Sequence, residues 1–507
     1  MKRTAHGDLF RRIKLNRKRL TSSMYTYPGV FEQDSSWPGD WVGRCMLGLS
    51  SLYFAFNGYP KDQESVKKQL DDIVLHLKDH LNSDGYFGDL LDGKVVNEQQ
   101  VSGNSWYLRG LIEYYQISHE EWCRELIEEV IHHFILRIAP FYLHYPLIHR
   151  EMGGVGGHIE GKVTDGWLTS SDVGCAFIML DAMSEAYYAL RDPELKTVLE
   201  QTIDVFLHLD FVGLQCQTHA TLSCARGVMT FYRATKEEKY LNAAKLIFDC
   251  YLSQGMTLDY SNFNWFGRPD TWTEPCCIVD SFLLAAQLEE ITGDKRYLTL
   301  MNRIYFNSFR LAQRSNGGAG CNYCLTEENR EIRVHLYEAF FCCTMRLAEG
   351  LRFVKKYACR EKNGEILITL PFDQEASICN GATVSVKGDI YFKKRIRIRV
   401  SNAKEATRVS LYVPSTIPFR VEGADYHYRA GVLQMEIAPQ EEATILFDCK
   451  PHKEGDLYFV GDMLLVQRKE EPFDRDCFLL NNQDYYYVVD FSKLRGQKYA
   501  STFIQKI

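Results

Sequence analysis

Apolar residues recur at helical spacing over roughly the first 358 positions. In Asp62-Gln-Glu-Ser-Val-Lys-Lys-Gln-Leu-Asp-Asp-Ile-Val-Leu-His-Leu, the side chains of Val66, Leu70, Ile73 and Leu77 fall on one stripe with charged residues between them. That is the pattern of a helix with one buried face. Similar amphipathic segments lie near 8–20, 43–57, 104–117, 120–137, 172–190, 194–209, 217–234, 237–253, 276–291, 295–313 and 335–356. Short loops between them predict antiparallel neighbours. Two connections look alike, Thr235-Lys-Glu-Glu-Lys-Tyr-Leu241 and Thr292-Gly-Asp-Lys-Arg-Tyr-Leu298, each closing one apolar helix and opening another. They mark a repeated helix-hairpin unit.

The period changes after Gly364. Arg395, Ile396, Arg397, Ile398, Arg399 and Val400 alternate strictly, and Val409, Leu411 and Val413 repeat the alternation until Pro414-Ser415 breaks it. Period two is that of a half-buried strand. Asn363-Gly364, Asn380-Gly381 and Glu422-Gly423 cut the region into short strands, which predicts a β-sandwich. The expected division is a helical domain over 1–358, a β-sandwich over 359–455, and a β-rich segment over 456–507 that a second small β domain would include. Tryptophan respects it: Trp37, Trp41, Trp106, Trp122, Trp167, Trp265 and Trp272 all fall in the helical part. Flat indole faces suit sugar rings, although Trp also fills large cores.

Composition narrows the function classes. With 507 residues, 46% hydrophobic and 25% charged, the chain is an ordinary globular protein of more than one domain. A net charge of −7 leaves no electrostatic footprint for nucleic acid. The basic start, Met1-Lys-Arg-Thr-Ala-His, leads into no apolar stretch, and no run of about 18 apolar residues follows anywhere. Sixteen cysteines without an export signal fit a reducing compartment, so the expectation is a cytoplasmic protein with no membrane partner.

The chemistry gathers in two stretches, Asp270-Thr-Trp-Thr-Glu274-Pro-Cys276-Cys277 and Phe341-Cys342-Cys343-Thr344. Glu274 and Cys276 are two apart and can point the same way from an extended or turn segment. With Cys342 and Cys343 they offer one carboxylate and three thiols, a four-donor set that suits tetrahedral zinc. Zinc would hold the thiols as thiolates, the nucleophilic form of cysteine. The competing reading is four buried residues of no special role, since free Cys is commonly buried and the spacing matches no zinc finger.

Glu-x-Cys followed by Cys-Cys, the latter after Gly317-Gly318, resembles the site of glycoside hydrolase family 127, the β-L-arabinofuranosidases. Trp37-Pro-Gly-Asp-Trp-Val-Gly-Arg44 resembles that family's opening helix and Asn82-Ser-Asp-Gly-Tyr86 its "DGY" loop. Leu214-Gln-Cys-Gln-Thr-His219-Ala-Thr221 resembles its "LHANT" segment, and Val460-Gly-Asp-Met-Leu-Leu465 its "YGPLVLA" strand. The resemblance implies that the hairpins close into an (α/α)6 toroid with a central cleft, followed by C-terminal β-sandwich domains. It implies Zn2+ on Glu274, Cys276, Cys342 and Cys343, with Cys342 as nucleophile of a retaining glycosidase. The general acid would fall in Gln254-Gly-Met-Thr-Leu-Asp259-Tyr260, which offers Asp259; Asp270 is a second candidate.

Departures from the family are plain. Arg109-Gly-Leu-Ile-Glu113 stands for "GHLIEA", Ser170-Ser-Asp172-Val-Gly174 for "HGGMNE", and Thr344-Met-Arg346 for Pro-Pro-Asn. Substrate contacts are expected from His219, Asp172, Trp41, Trp272, and His158 in the Gly-rich run 153–158. The altered contacts leave the sugar open, arabinofuranose or another. The expected partner is a small glycoside or oligosaccharide, with a homodimer left open. Two rivals share the toroid: a sugar epimerase or lyase using His and Tyr, and a carbohydrate-binding scaffold with a structural zinc.

Overall fold

Among the described residues up to 358, twelve helices alternate between an inner and an outer layer. The computed structural model describes residues 1–33, 36–148, 159–362, 364–379, 381–469 and 477–507. The toroid's helices are α1 (Gly7–Arg19), α2 (Asp40–Ala55), α3 (Pro60–Leu75), α4 (Glu98–Ser118), α5 (Glu121–Glu129, running on through Val130–Ile135 and Leu136–Tyr142) and α6 (Met179–Leu190). They continue as α7 (Pro193–Leu207), α8 (Thr218–Thr235), α9 (Glu238–Gln254), α10 (Pro275–Thr292), α11 (Arg296–Ile304, extended by Tyr305–Phe309 and Arg310–Ala312) and α12 (Cys343–Ala358).

The even-numbered helices form a closed ring. α2 packs on α4, α4 on α6, α6 on α8, α8 on α10, α10 on α12, and α12 returns to α2. Each odd-numbered helix lies outside, α3 on α2, α5 on α4, α7 on α6, α9 on α8, α11 on α10, and α1 on α12. This is an (α/α)6 toroid. The sequence separates the layers: α10 is buried without interruption from Pro275 to Glu289, whereas α3 buries only Val66, Leu70, Ile73 and Val74. A helix apolar on one stripe belongs outside, and one without a solvated face belongs inside.

Two inner helices touch backbone to backbone. A Cβ on Gly43 of α2 would stand 2.2 Å from the carbonyl carbon of Trp106 on α4, and one on Gly110 would stand 2.7 Å from the carbonyl oxygen of Gly43. This contact brings α2 close to Trp106, beside the ring's polar centre.

One segment departs from its predicted helix. The stretch 335–342 is not helical: Val334–Leu336 pairs with Cys321–Asn322 in a short antiparallel ladder, and α12 starts only at Cys343. The strand partner lies outside any local window, so the apolar spacing of 334–341 was misleading. Similarly, 172–174 is a turn with Gly174 at φ 85°, and the helix that follows opens as a 3-10 turn, Cys175–Ile178.

Beyond the toroid stand two facing sheets. One has the order Lys2–Ala5, Gln374–Ser377, Thr383–Asp389, Arg395–Ser401, Glu442–Phe447, Phe419–Glu422; the other runs Tyr426–Arg429, Val432–Ile437, Thr407–Tyr412, Glu365–Ile368, Cys359–Lys362. Ile396, Ile398 and Val400 are buried while Arg395, Arg397 and Arg399 face water, as the alternation requires. The first strand of the chain thus lies in the sandwich and not with the helices. A third sheet begins at His452–Glu454, includes Met463–Arg468, and ends with Gln505–Lys506 paired to Glu331–Ile332. That sheet spans the expected boundary at 455 and ties the chain's end to a toroid loop. Among the described residues no helix is long and apolar enough to cross a membrane.

Candidate metal centre and its cavity

Two neighbouring inner helices start at the same point. Glu274 is the extended residue before α10, Pro275 takes the first helical position, and Cys276 lies in the first turn. Proline suits that position because its missing N–H has no helical partner there. Cys342 stands before α12 and Cys343 opens it. The donor atoms of Glu274, Cys276, Cys342 and Cys343 all lie within 4.8 Å of one another. The Cys343 sulfur is 3.4 Å from that of Cys276 and 3.3 Å from that of Cys342. Both helices begin at this cluster, and a helix N-terminus favours anionic ligands.

The cluster fits a cation. Glu274 Oε2 is buried with no hydrogen-bond partner among the described residues. Burial pushes the Glu274 carboxyl up to about 8, despite the Arg44 guanidinium nearby. Burial likewise raises Cys276 and Cys343 well above the usual thiol range. For Cys342, the bond from Cys276 works downward, but the bond to Cys343 and burial carry it up. Four acids that resist ionisation, three of them buried and Cys342 half-buried, become ligands once a cation supplies the missing charge. Three sulfurs and one carboxylate oxygen suit a tetrahedral ion such as Zn2+.

Arg44 supplies fixed positive charge beside the cluster. Its Nη1 lies 3.6 Å from the Cys276 sulfur, its Nε donates to Asp40 Oδ1 at 2.8 Å, and its guanidinium lies 3.9 Å from the ring centre of Trp106. The sequence signal was available, because Asp40 and Arg44 are spaced i,i+4 on a helix. Burial also raises Asp40, against the pull of Arg44.

Above the donors opens a cavity of about 670 Å³. Glu274, Cys342 and Cys343 reach it, Trp41 and Trp272 contribute to its walls, and Asp172 and His219 also line it. Trp41 is anchored by its Nε1–H to Met24 O at 3.0 Å. Trp272 stacks on His335, ring centres 5.0 Å apart. His219 donates from Nδ1 to Asp280 Oδ2 at 2.7 Å and stacks on Trp106. That bond leaves Nε2 as an acceptor, with no partner among the described residues. Burial pushes His219 down to about 4, so the ring is neutral at pH 7.

Asp280 anchors a buried ionic core behind the cavity. Arg226 binds Asp280 at 2.6 Å and Glu349 at 2.7 Å, and Arg346 reaches Asp280 and Glu349 as well. Arg109 meets Asp181 at 2.8 Å. The residues that replace the family-like segments, Arg109, Glu113 and Arg346, therefore serve the ring's interior. Periodicity could not reveal this core, because Arg109, Glu113 and Arg346 each also reach a partner on another helix, Asp181, Arg352 and Asp280 respectively.

Asp259 is not brought to the cavity. It is 1% exposed, accepts from the hydroxyls of Thr257 and Ser261, and closes the turn at 257–261 away from the cavity lining. Burial raises it to about 6. Asp270 is exposed and held by Arg268 at 2.7 Å. His158 lies outside the described residues.

No protein-family model matches the sequence, and no curated protein does. Solved structures do match over nearly the whole chain. A glycoside hydrolase aligns with a TM-score of 0.64 at 12% identity, covering 92% of this chain and 82% of its own. A family 127 β-arabinofuranosidase aligns at 0.63 and 12% identity, covering 91% and 80%. A family 127 β-L-arabinofuranosidase from Geobacillus stearothermophilus T6 aligns at 0.66 and 11% identity, covering 92% and 87%. The shared feature is the fold, toroid and β-sheets together.

Proposed function

We propose that this chain is a glycoside hydrolase, a divergent relative of the family 127 β-L-arabinofuranosidases, acting on a furanoside or related glycoside. The observation that carries the proposal is the Glu274, Cys276, Cys342, Cys343 cluster at the floor of an indole-walled cavity. These four residues would hold one Zn2+, which when bound keeps the thiols deprotonated at neutral pH.

Cys342 is the nucleophile in this reading. It lines the cavity and is half-buried where Cys276 and Cys343 are buried, which makes it the most accessible of the three cysteines. Attack forms a carbon–sulfur bond at the anomeric centre as the glycosidic carbon–oxygen bond breaks. A carboxylic acid gives its proton to the leaving oxygen, and the same group as carboxylate then takes a proton from the water that releases the sugar. Since Asp259 lies away from the cavity, the acid is assigned to the carboxyls that do line it beside Glu274, namely Asp40 and Asp172. His219 Nε2 accepts from a sugar hydroxyl, while Trp41 and Trp272 cover the apolar ring faces.

The test has two arms. Protein purified without chelator should contain about one zinc per chain and hydrolyse an aryl furanoside from a panel of pentose and hexose glycosides. A furanoside with a cysteine-reactive group at the anomeric carbon should label Cys342 alone, with protection by free sugar. Label on Cys343 reverses the assignment between the two. Full zinc without turnover or labelling leaves a carbohydrate-binding protein with a structural ion.

A further inference from the structure

A fifth thiol stands beside the cluster. Residues 319–322 are tied on both sides to the segments that carry the four donors. Ala319 N–H donates to Thr344 Oγ1 at 3.1 Å, and Ala319 O accepts from Ala339 N–H at 2.8 Å. Asn322 N–H donates to Thr273 Oγ1 at 2.9 Å, and Thr273 N–H returns a bond to Asn322 O at 2.8 Å. Thr344 directly follows Cys343, and Thr273 directly precedes Glu274. Cys321 therefore sits between the two ligand-bearing segments.

Its backbone has no freedom to retreat. Cys321 O accepts from Arg314 Nη2 at 3.0 Å, and a Cβ on Gly320 would stand 2.0 Å from Tyr337 O. Cys321 lines the same cavity as Cys342, Cys343 and Glu274, and its thiol interacts with that of Cys343. Yet it lies outside the set of four whose donor atoms are all within 4.8 Å. Its position is that of an alternate to one donor, not of a simultaneous fifth.

The nucleophile reading of the preceding subsection, on which this inference rests, creates a demand for such an alternate. A sulfur bonded to carbon is a poor ligand, so attack by Cys342 leaves three protein donors where four-coordination is the preferred state. We propose that Cys321 is a reserve metal ligand that takes the coordination position which Cys342 gives up. With the ion bound, Cys321 would lose its thiol proton to solvent water and supply the sulfur donor that Cys342, once bonded to carbon, would no longer supply. Glu274, Cys276, Cys343 and Cys321 would then hold the ion through the covalent stage.

Ligand counting on the full-length protein tests this. Cys342→Ser, Cys321→Ser and the double variant would be loaded with Co2+, whose thiolate charge-transfer bands report sulfurs per ion. Zinc affinity would be measured by competition with a chromophoric chelator. Cys342→Ser should keep three thiolates per cobalt and a zinc affinity within about tenfold of wild type. The double variant should fall to two thiolates and lose a further 100-fold or so, the range seen when a ligand's support is removed. Cys321→Ser alone should resemble wild type in both measurements. If Cys342→Ser shows two thiolates and adding Cys321→Ser changes neither band nor affinity, Cys321 is not a ligand. A wild type that binds neither ion would overturn the zinc proposal itself, a result distinct from the first. Cys321→Ala repeats the series if the serine variant fails to fold.

Discussion

Arg44 places its Nη1 3.6 Å from the sulfur of Cys276, with the guanidinium anchored at Asp40 and lying over the face of Trp106. A carboxylate and three thiolates together carry more negative charge than one divalent ion neutralises. A fixed guanidinium in contact with one sulfur offsets part of the excess without becoming a ligand. Arg44→Gln should weaken zinc binding about 10–100-fold, the usual effect of removing an outer-shell partner. Arg44→Lys should recover only part of it, because a point charge cannot hold Asp40, Trp106 and Cys276 at once. Chelator competition measures both; affinities equal to wild type would show that Arg44 is a packing residue.

Cys276→Ser should lower metal content and melting temperature together. The change removes one donor and leaves two thiols and a carboxyl around an undercoordinated ion. Because Cys276 lies in the first turn of α10 in the inner ring, the loss should spread beyond the site. Differential scanning calorimetry with and without added zinc separates the two effects. Full metal content at the wild-type melting temperature would remove Cys276 from the ligand set.

Asp259 makes a prediction with a sign. Burial raises its folded-state value to about 6 from an unfolded value near 3.8, so the folded chain holds the proton more tightly. Below the unfolded value both states are protonated and nothing is lost. Between roughly pH 4 and 6 the folded state binds more protons, and stability falls as pH rises. Asp259→Asn keeps an acceptor for Thr257 and removes the titration. It should be more stable than wild type at pH 7, by up to about 3 kcal/mol, and equal to it at pH 3.5. Denaturant melts at the two pH values give the comparison. The same variant should keep glycosidase turnover, whereas Asp40→Asn or Asp172→Asn should lower it by about 100-fold or more on a poor leaving group. A dead Asp259→Asn with intact fold and metal would restore that residue as the acid.

Gly43→Ala tests the ring itself. The added methyl would meet the backbone of Trp106 and Tyr107 at 2.2 Å, and backbone cannot step aside as a flexible side chain does. The expected cost is about 1–3 kcal/mol or more, with α2 displaced and Arg44 with it. A fall in melting temperature accompanied by weaker zinc binding is the predicted pair of results. Wild-type stability would mean that α2 and α4 are farther apart than their glycines indicate.

Local periodicity determined most of the elements. Val66, Leu70 and Ile73 share a helix face, and Ile396, Ile398 and Val400 share a strand face, because each pattern depends only on residues a few positions apart. The donor types at 274, 276, 342 and 343 were legible for a similar reason, since a Glu-x-Cys and a Cys-Cys are short and chemically distinctive. What only the tertiary structure decided are relations between distant segments. Val334–Leu336 is a strand because Cys321–Asn322 is there to pair with it, and no window around residue 335 contains that partner. Asp259 has a carboxyl suited to acid catalysis, but the hydroxyls of Thr257 and Ser261 hold it in a buried turn. Cys321 reads as one more cysteine among sixteen until Thr273 and Thr344 tie its segment beside the cluster. Residue type is written locally, but a site is a set of distances, and closing the α2-to-α12 ring is what sets them.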